Sequence, residues 1–286
     1  MNPPSSTRIR RCFEALRQQG DLGLIAYLTA GDPSLEATRR IVLAAAEAGA
    51  DIIELGVPFS DPLADGPVIQ RASERALAAG TTLAGVLDLV GEVRRKSQVP
   101  LVIFSYFNPI LQMGLERFAE SAQASGADGV LITDLPPEDS ADYLRAVRAR
   151  NLDTIFLAAP TTGAARMRSI AESSTGFLYV ISRTGVTGER DSLADELPAL
   201  LRRARQATDL PIAVGFGISL PGHVSLLGGL ADAAVVGSAL VAEVERGGTP
   251  EESAANVAAR VRLLKQAGLR GMSRREAAVP ARGENP

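Results

Sequence analysis

The chain alternates eight times between a short apolar run and a stretch with helical spacing, about thirty residues apart. Runs that are apolar on both faces are typical of parallel strands covered by helices. Eight such units predict an α/β fold, a closed (β/α)8 TIM barrel. A doubly wound open sheet is the alternative, because periodicity does not prove closure. The predicted strands are residues 22–29, 52–57, 101–106, 129–133, 154–158, 177–182, 212–214 and 233–236.

The 286 residues suit one large domain, and the pattern places a single barrel domain at residues 7–270. Helical spacing from Ile9 to Gly20, before the first strand, predicts an extra N-terminal helix. Extra short helices are expected in the loops that follow the strands. Residues 1–6 are expected to form a disordered lead, and residues 271–286 a flexible tail.

Composition narrows the functional classes. A net charge of −3 and a pI near 5.4 give no basic footprint for nucleic acid. The chain has no apolar run of about 18 residues for a membrane span, and its N-terminus lacks the apolar core of a signal peptide. Cys12 is the single cysteine, which indicates a reducing compartment and a cytoplasmic protein. His223 is the single histidine, so a His-rich metal site is excluded; we expect it on a helix surface.

One stretch carries two carboxylates in different settings. It covers residues 51–70 and reads D-I-I-E-L-G-V-P-F-S-D-P-L-A-D-G-P-V-I-Q. Glu54 lies in a predicted strand, where an acid is unfavourable unless it is partnered or used. Asp61 and Asp65 lie in Pro- and Gly-bearing turns that hold them in place. Two carboxylates in different environments can divide acid and base roles, although a structural ion pair and ordinary turn chemistry are the alternative explanations.

Three glycine-rich turns follow the last three strands, at residues 182–188, 214–219 and 236–239. Glycine lets backbone N–H groups converge on an anion, and the third turn begins a short helix whose N-terminus is a ready anion site. In a barrel these turns share the C-terminal rim with Glu54, so phosphate binding is predicted there. The candidate anion-binding residues are Gly185, Thr187 and Gly188 in the first turn, Gly215 and Gly217 in the second, and Gly237 and Ser238 in the third.

Seven motifs together resemble the tryptophan synthase alpha subunit family over about residues 9–266. The longest is E-L-G-V-P-F-S-D-P-L-A-D-G-P-V-I-Q at residues 54–70. The others are Y-L-T-A-G-D-P, S-Y-F-N-P-I, D-G-V-L-I-T-D-L-P-P-E, Y-V-I-S-R-T-G-V-T-G, V-G-F-G-I-S and V-V-G-S-A. The departures are mild: Ala26 stands where proline is frequent, and the tail is longer than usual.

The resemblance implies a lyase of tryptophan biosynthesis. The reaction is retro-aldol cleavage of indole-3-glycerol phosphate to indole and glyceraldehyde 3-phosphate, without metal or cofactor. Glu54 would act as general acid and then base, with a pKa raised by burial. Asp65 would accept the indole N–H and must stay ionised, which a more solvated loop favours.

The same resemblance implies the substrate-binding residues. Tyr27, Phe104, Ile132 and Phe216 would form the indole slot, and Tyr106 would lie at the rim beside the product. Tyr179 would position the substrate or the catalytic carboxylate, with barrel packing as its alternative role. Gly188, Gly217, Gly237 and Ser238 would hold the phosphate, and Thr187 would lie on a loop that closes over the substrate.

The family's partner is a beta subunit that receives the indole, in an α2β2 heterotetramer. A stand-alone indole-releasing lyase would share the same catalytic residues. A barrel that binds a phosphorylated metabolite without catalysis is a third possibility, but it does not require both carboxylates. Other phosphate-binding barrel enzymes often use a strand lysine, and the predicted strands contain none.

Overall fold

The computed structural model describes residues 7–182, 197–215 and 217–276. Eight parallel strands form a closed barrel in chain order, because each strand pairs with the next and the eighth pairs with the first. The predicted barrel is confirmed, and the open sheet is excluded. The strands are β1 Gly23–Thr29, β2 Ile52–Gly56, β3 Leu101–Ser105, β4 Gly129–Ile132, β5 Asp153–Ala158, β6 Leu178–Ile181, β7 Ile212–Gly215 and β8 Ala233–Val236.

Helices surround the barrel. They are α1 Arg8–Gln19, α2 Leu35–Glu47, α3 Pro67–Ala78, α4 Leu83–Arg94, α5 Phe107–Met113, α6 Leu115–Ser125, α7 Ala141–Ala149, α8 Ala164–Ser173, α9 Leu197–Ala207, α10 Pro221–Leu227, α11 Ser238–Arg246 and α12 Pro250–Glu276. Among these described helices, none alone is long and apolar enough to cross a membrane, although α3 and α4, bent by 96°, pass together by length and composition.

Two extra helices lie in the loops that follow strands, where extra helices were expected: α3 after β2 and α5 after β3. The last helix, α12, continues to Glu276, past the predicted end of the barrel domain at residue 270. α3 begins at Pro67, whose fixed φ and missing N–H suit the first helical position. The Asp65 turn therefore leads directly into a helix.

Side chains separate into two layers because successive strand residues face opposite sides of the sheet. One set packs between strands and helices, and the other fills the barrel. α1 closes the N-terminal end of the barrel, since its buried Ile9, Phe13 and Leu16 join the inner set. The rings of Phe13 and Phe177 lie 5.8 Å apart. The opposite end carries the loops that follow the strands.

Three aspartates anchor the starts of strands. Asp51, Asp128 and Asp232 each precede a strand and accept a hydrogen bond from a backbone N–H near the start of the preceding strand. The donor-to-acceptor distances are 2.6, 2.8 and 2.7 Å respectively. These residues end the G-A-D, G-A-D and L-A-D segments of the sequence. The recurrence therefore marks a repeated joint that sets adjacent strands in register.

Each of the three carboxylates also binds a cation from a helix. Lys265 of α12 contacts Asp51 at 2.7 Å, and Arg205 of α9 pairs with Asp232. Asp128 has the most partners: Arg94 at 2.7 Å, the Leu101 N–H, and Arg8 of α1 at 3.0 Å. A buried carboxylate needs such compensation for its lost hydration. The joints thereby tie the helices to the strands at this end.

We expect Asp128→Ala to lower the free energy of unfolding by about 3–5 kcal/mol, because it removes one member of a buried charge cluster. Its side chain is only 4% exposed, and Arg94 and the Leu101 N–H would lose their partner. Urea unfolding measures the loss. The matched control is Asp142→Ala, whose ion pair with Arg145 is exposed and should contribute less than about 1 kcal/mol. Equal small losses in both variants would contradict this role for Asp128.

Candidate active site

Glu54 lies on the inner face of β2, where it is in register with Tyr27 of β1 and Val102 of β3. Its side chain is fully buried, and neither carboxylate oxygen has a hydrogen-bond partner among the described residues. Burial raises the pKa of Glu54 to about 8. At neutral pH the carboxyl is mostly protonated, so it can give up a proton and take one back. This is the pKa direction that the acid–base role requires.

Asp65 lies in the loop between β2 and α3. The expectation of a solvated loop is wrong, because Asp65 is only 8% exposed. Burial raises its pKa to about 6, and the hydroxyl of Tyr106, which donates to Oδ2 at 3.1 Å, opposes that rise. Asp65 is nevertheless mostly ionised at pH 7. The two carboxylates therefore differ in charge at neutral pH.

Aromatic side chains on the inner face line the space around Glu54. Tyr27 and Phe104 meet edge to face with ring centroids 5.0 Å apart. Glycine is required beside two phenols: a Cβ at Gly56 would lie 2.1 Å from the Tyr27 hydroxyl, and one at Gly215 would lie 2.1 Å from the Tyr179 hydroxyl. Burial raises the pKa of both phenols, and the nearby carboxylates raise it further. Both phenols are therefore neutral in this site.

Ile132 does not line the barrel. Its side chain packs in the outer layer, between the strands and the helices, so its prediction as part of the indole slot is wrong. Leu131 is the inner residue of β4 and is in register with Phe104. The physical reason is the two-residue period of a strand. Counting that alternation through the apolar run would have selected Leu131.

Three further inward positions were missed. Leu157 and Ile181 are half-buried against the inner set, on β5 and β6. Thr29 lies two residues beyond Tyr27 and is buried. The same alternation, continued from Tyr27 and Tyr179, identifies Thr29 and Ile181.

Three of the residues that the resemblance assigns to the phosphate lie in the part of the chain that the structure describes. Gly217 has a φ of +86°, a left-handed conformation that favours glycine. Gly237 is the N-cap of α11, and Ser238 is the exposed first residue of that helix. The first N–H groups of a helix have no acceptor within the helix, so they can bind an anion. The other predicted contacts, Thr187, Gly188 and Phe216, lie outside the described residues.

His223 is buried, so its predicted position on a helix surface is wrong. Its helix, α10, packs against α12. Nδ1 accepts a hydrogen bond from the Ser219 N–H at 3.4 Å, while Arg260 donates to the Ser219 carbonyl at 2.6 Å. These contacts hold the chain just after Gly217.

Asp134 has a structural role at the rim. Its Oδ1 accepts a hydrogen bond from the Phe107 N–H at 2.7 Å, at the start of α5. The described part of the chain contains no group of three or more His, Cys, Asp or Glu residues that could hold a metal ion.

The closed parallel barrel, with Glu54 and Asp65 both buried, places the chain in the (β/α)8 class, whose active sites lie at the C-terminal ends of the strands. The sequence profile of the family described as tryptophan synthase alpha chain matches residues 13–269. The chain belongs to the tryptophan synthase alpha chain family. Its members cleave indole-3-glycerol phosphate, a lyase reaction in tryptophan biosynthesis.

Curated relatives agree with this assignment. The chain is 55% identical to the tryptophan synthase alpha chain of Solibacter usitatus over 240 residues, which cover 84% of this chain and 90% of the relative. It is 48% identical to the alpha chain of Geobacter sulfurreducens over 261 residues, or 91% and 98% of the two chains.

Solved structures share the fold. A chain of Mycobacterium tuberculosis tryptophan synthase superposes with a TM-score of 0.85 at 34% identity, covering 92% of this chain and 99% of that one. The tryptophan synthase alpha subunit of Legionella pneumophila gives a TM-score of 0.84 at 36% identity, covering 93% and 100%.

We expect the free energy of unfolding of Glu54→Gln, relative to that of the native chain, to increase as the pH rises from about 4.5 to about 8. The folded pKa is raised, so ionisation opposes folding: the penalty is absent below the unfolded pKa and complete above the folded one. The full change is on the order of a few kcal/mol. Urea unfolding at pH 5 and pH 8.5 measures it.

The matched control is Glu14→Gln on α1, which removes an exposed ion pair with Arg10 and should change the free energy of unfolding by less than about 1 kcal/mol. Glu54→Gln also buries an amide, which changes the free energy of unfolding by the same amount at every pH. That constant difference carries no information about the pKa of Glu54. Parallel pH curves for native chain and Glu54→Gln would show that Glu54 ionises normally in the fold.

Proposed function

We propose that Glu54 and Asp65 carry out the retro-aldol reaction of the family in this chain. The observation that carries the proposal is the difference between them: one inner carboxyl protonated at neutral pH, and one ionised carboxylate at the same end of the barrel. An acid that can also accept a proton, together with a fixed negative charge, is the pair that the reaction needs.

The proton movements balance over one turnover. Glu54 protonates C3 of the indole ring, which leaves positive charge on the ring nitrogen. Asp65 accepts the indole N–H and stabilises that charge. The Glu54 carboxylate then removes the proton of the adjacent glycerol hydroxyl. The carbon–carbon bond breaks, its electrons restore the aromatic ring, and the hydroxyl carbon becomes the aldehyde of glyceraldehyde 3-phosphate.

The substrate's two ends suit the two surfaces of the site. Tyr27, Phe104 and Tyr179 face the barrel interior and supply a flat apolar wall for indole, with Leu131 in place of Ile132. Gly217, Gly237 and Ser238 would bind the phosphate at the rim. The family resemblance adds Phe216 to the indole wall, and Thr187 and Gly188 to the phosphate end.

A beta subunit is the proposed partner, in an α2β2 heterotetramer in the cytoplasm. The loop after β2 supports a docking surface on the catalytic rim, because Leu63 is 87% exposed and Asp61 is also exposed. An exposed apolar side chain beside the site fits a partner that receives an apolar product. The stand-alone lyase is the second candidate.

Indole release from indole-3-glycerol phosphate, with and without a beta subunit, tests the function. Glu54→Gln should lower kcat by at least about 100-fold, since no other described carboxyl on the inner face can replace it. Asp65→Asn should also lower kcat strongly. Glu14→Gln, on α1 at the opposite end of the barrel, is the control and should leave kcat unchanged.

More than a tenth of the native rate in Glu54→Gln would remove Glu54 from the mechanism. A native chain that is already fast, and that a beta subunit neither accelerates nor binds in sedimentation, would favour the stand-alone lyase.

We expect Ser238→Asp to weaken phosphate binding without weakening the fold. A carboxylate at the first position of α11 would repel the phosphate, yet a negative charge there is favourable to the helix itself. The KM for substrate and the competition constant of glycerol phosphate should rise at least tenfold, while the urea midpoint stays level or increases. Ser238→Ala is the control. An unchanged KM in Ser238→Asp would place the phosphate elsewhere.

A further inference from the structure

The loop that carries Asp65 is held by bonds from outside it. Between the end of β2 and the start of α3, the chain passes from Pro58 to Gly66 and turns at two prolines and two aspartates. Backbone bonds within the loop are short-range: Leu63 N–H to Asp61 at 2.9 Å and Asp65 N–H to Pro62 at 3.0 Å. Such bonds fix local turns but do not direct the Asp65 side chain.

The first outside contact is the hydroxyl of Tyr106. It accepts a hydrogen bond from the Ala64 N–H at 2.9 Å and donates one to Asp65 Oδ2 at 3.1 Å. One hydroxyl therefore binds both the backbone before Asp65 and its carboxylate. The bond to the charged oxygen is of the stronger, charge-assisted kind.

The second outside contact is the side-chain amide of Gln70, in the first turn of α3. It donates to the Asp65 carbonyl at 2.9 Å and lies 3.4 Å from the Pro62 carbonyl. The amide thus binds the backbone after the aspartate as well as the preceding turn. Asp65 is held on both sides, by a residue after β3 and by a residue of α3.

Tyr106 is itself held in place. It is 6% exposed and directly precedes α5, whose first N–H, on Phe107, is bound by Asp134 at 2.7 Å. Its ring packs on Phe59 with centroids 5.0 Å apart. A buried, anchored side chain can impose its geometry on a neighbouring loop.

We propose that Tyr106 and Gln70 are positioning residues that hold Asp65 in its working orientation within this chain. The inference rests on the proposed function and deepens it. Tyr106, which the sequence assigned to substrate contact, acts through Asp65. Binding energy that would otherwise be spent on orienting the carboxylate remains available for catalysis, because the orientation is set in advance.

The charge state of Asp65 depends on the same bond. The titratable groups that interact with it are Tyr106 and the phenols of Tyr27 and Tyr179, on β1 and β6. Of these, the Tyr106 hydroxyl is the described donor to its carboxylate. Loss of that donor leaves burial unopposed, so the ionised form becomes less favourable.

The test measures the pH dependence of kcat for three full-length proteins: the native chain, Tyr106→Phe and Gln70→Met. The native profile should rise with ionisation of Asp65 near pH 6 and fall with ionisation of Glu54 near pH 8. Tyr106→Phe should move the acid limb upward by about one pH unit and lower kcat at pH 7 about tenfold, with KM changed less than about threefold.

Gln70→Met removes a bond to the backbone and leaves the carboxylate's donor in place. It should therefore lower kcat several-fold at every pH, without moving the acid limb. The matched control is Tyr143→Phe, which removes another buried hydroxyl, bound to the Val130 carbonyl at 3.3 Å, in the outer layer. It should alter unfolding and leave the pH profile unchanged.

An unmoved acid limb in Tyr106→Phe, or a rise in KM alone, would overturn the proposal and return Tyr106 to substrate contact. A separate readout does not require activity: the ¹³C signal of the Asp65 carboxyl should titrate at higher pH in Tyr106→Phe than in the native chain. If the native chain releases no indole, the proposed function fails, while this titration still decides whether Tyr106 controls Asp65.

Discussion

Carboxylates that bind backbone N–H groups set the strands of this barrel in register, and the rest of the structure depends on that alignment. Asp51, Asp128 and Asp232 each connect two adjacent strands to at least one helix at the N-terminal end. Parallel strands are joined by long connections, so their relative offset is not fixed by tight turns. With the starts aligned, the inner residues of successive strands fall into common layers, and Glu54 lies level with Tyr27 and Val102.

Carboxylates at the two ends of the barrel differ in the partners that they have. At the closed end, Asp128 receives two arginines and a backbone N–H. At the open end, Glu54 receives no hydrogen bond from the described residues. Compensated carboxylates hold the fold together, whereas an uncompensated one opposes folding and is available for proton transfer. α1 seals the closed end, which leaves the open end as the place for a ligand.

Local patterns predicted the elements, and long-range packing decided what they missed. The apolar runs identified all eight strands. Ile132 and His223 were misplaced because the direction of a side chain depends on strand parity and on helix neighbours. The role of Tyr106 toward Asp65 joins residues 41 positions apart. No single segment contains that relation, so only the fold could reveal it.

Burial and hydrogen bonding together set the acidity of the two carboxyl groups in this site. Glu54 is fully buried, has no hydrogen-bond partner among the described residues, and has a pKa of about 8. Asp65 is slightly less buried and receives a hydrogen bond from Tyr106, and its pKa is about 6. One phenolic hydroxyl therefore helps to keep the two pKa values on opposite sides of neutrality. Because Tyr106 also binds the Ala64 N–H, the same atom that favours the charge of Asp65 also fixes where that charge lies.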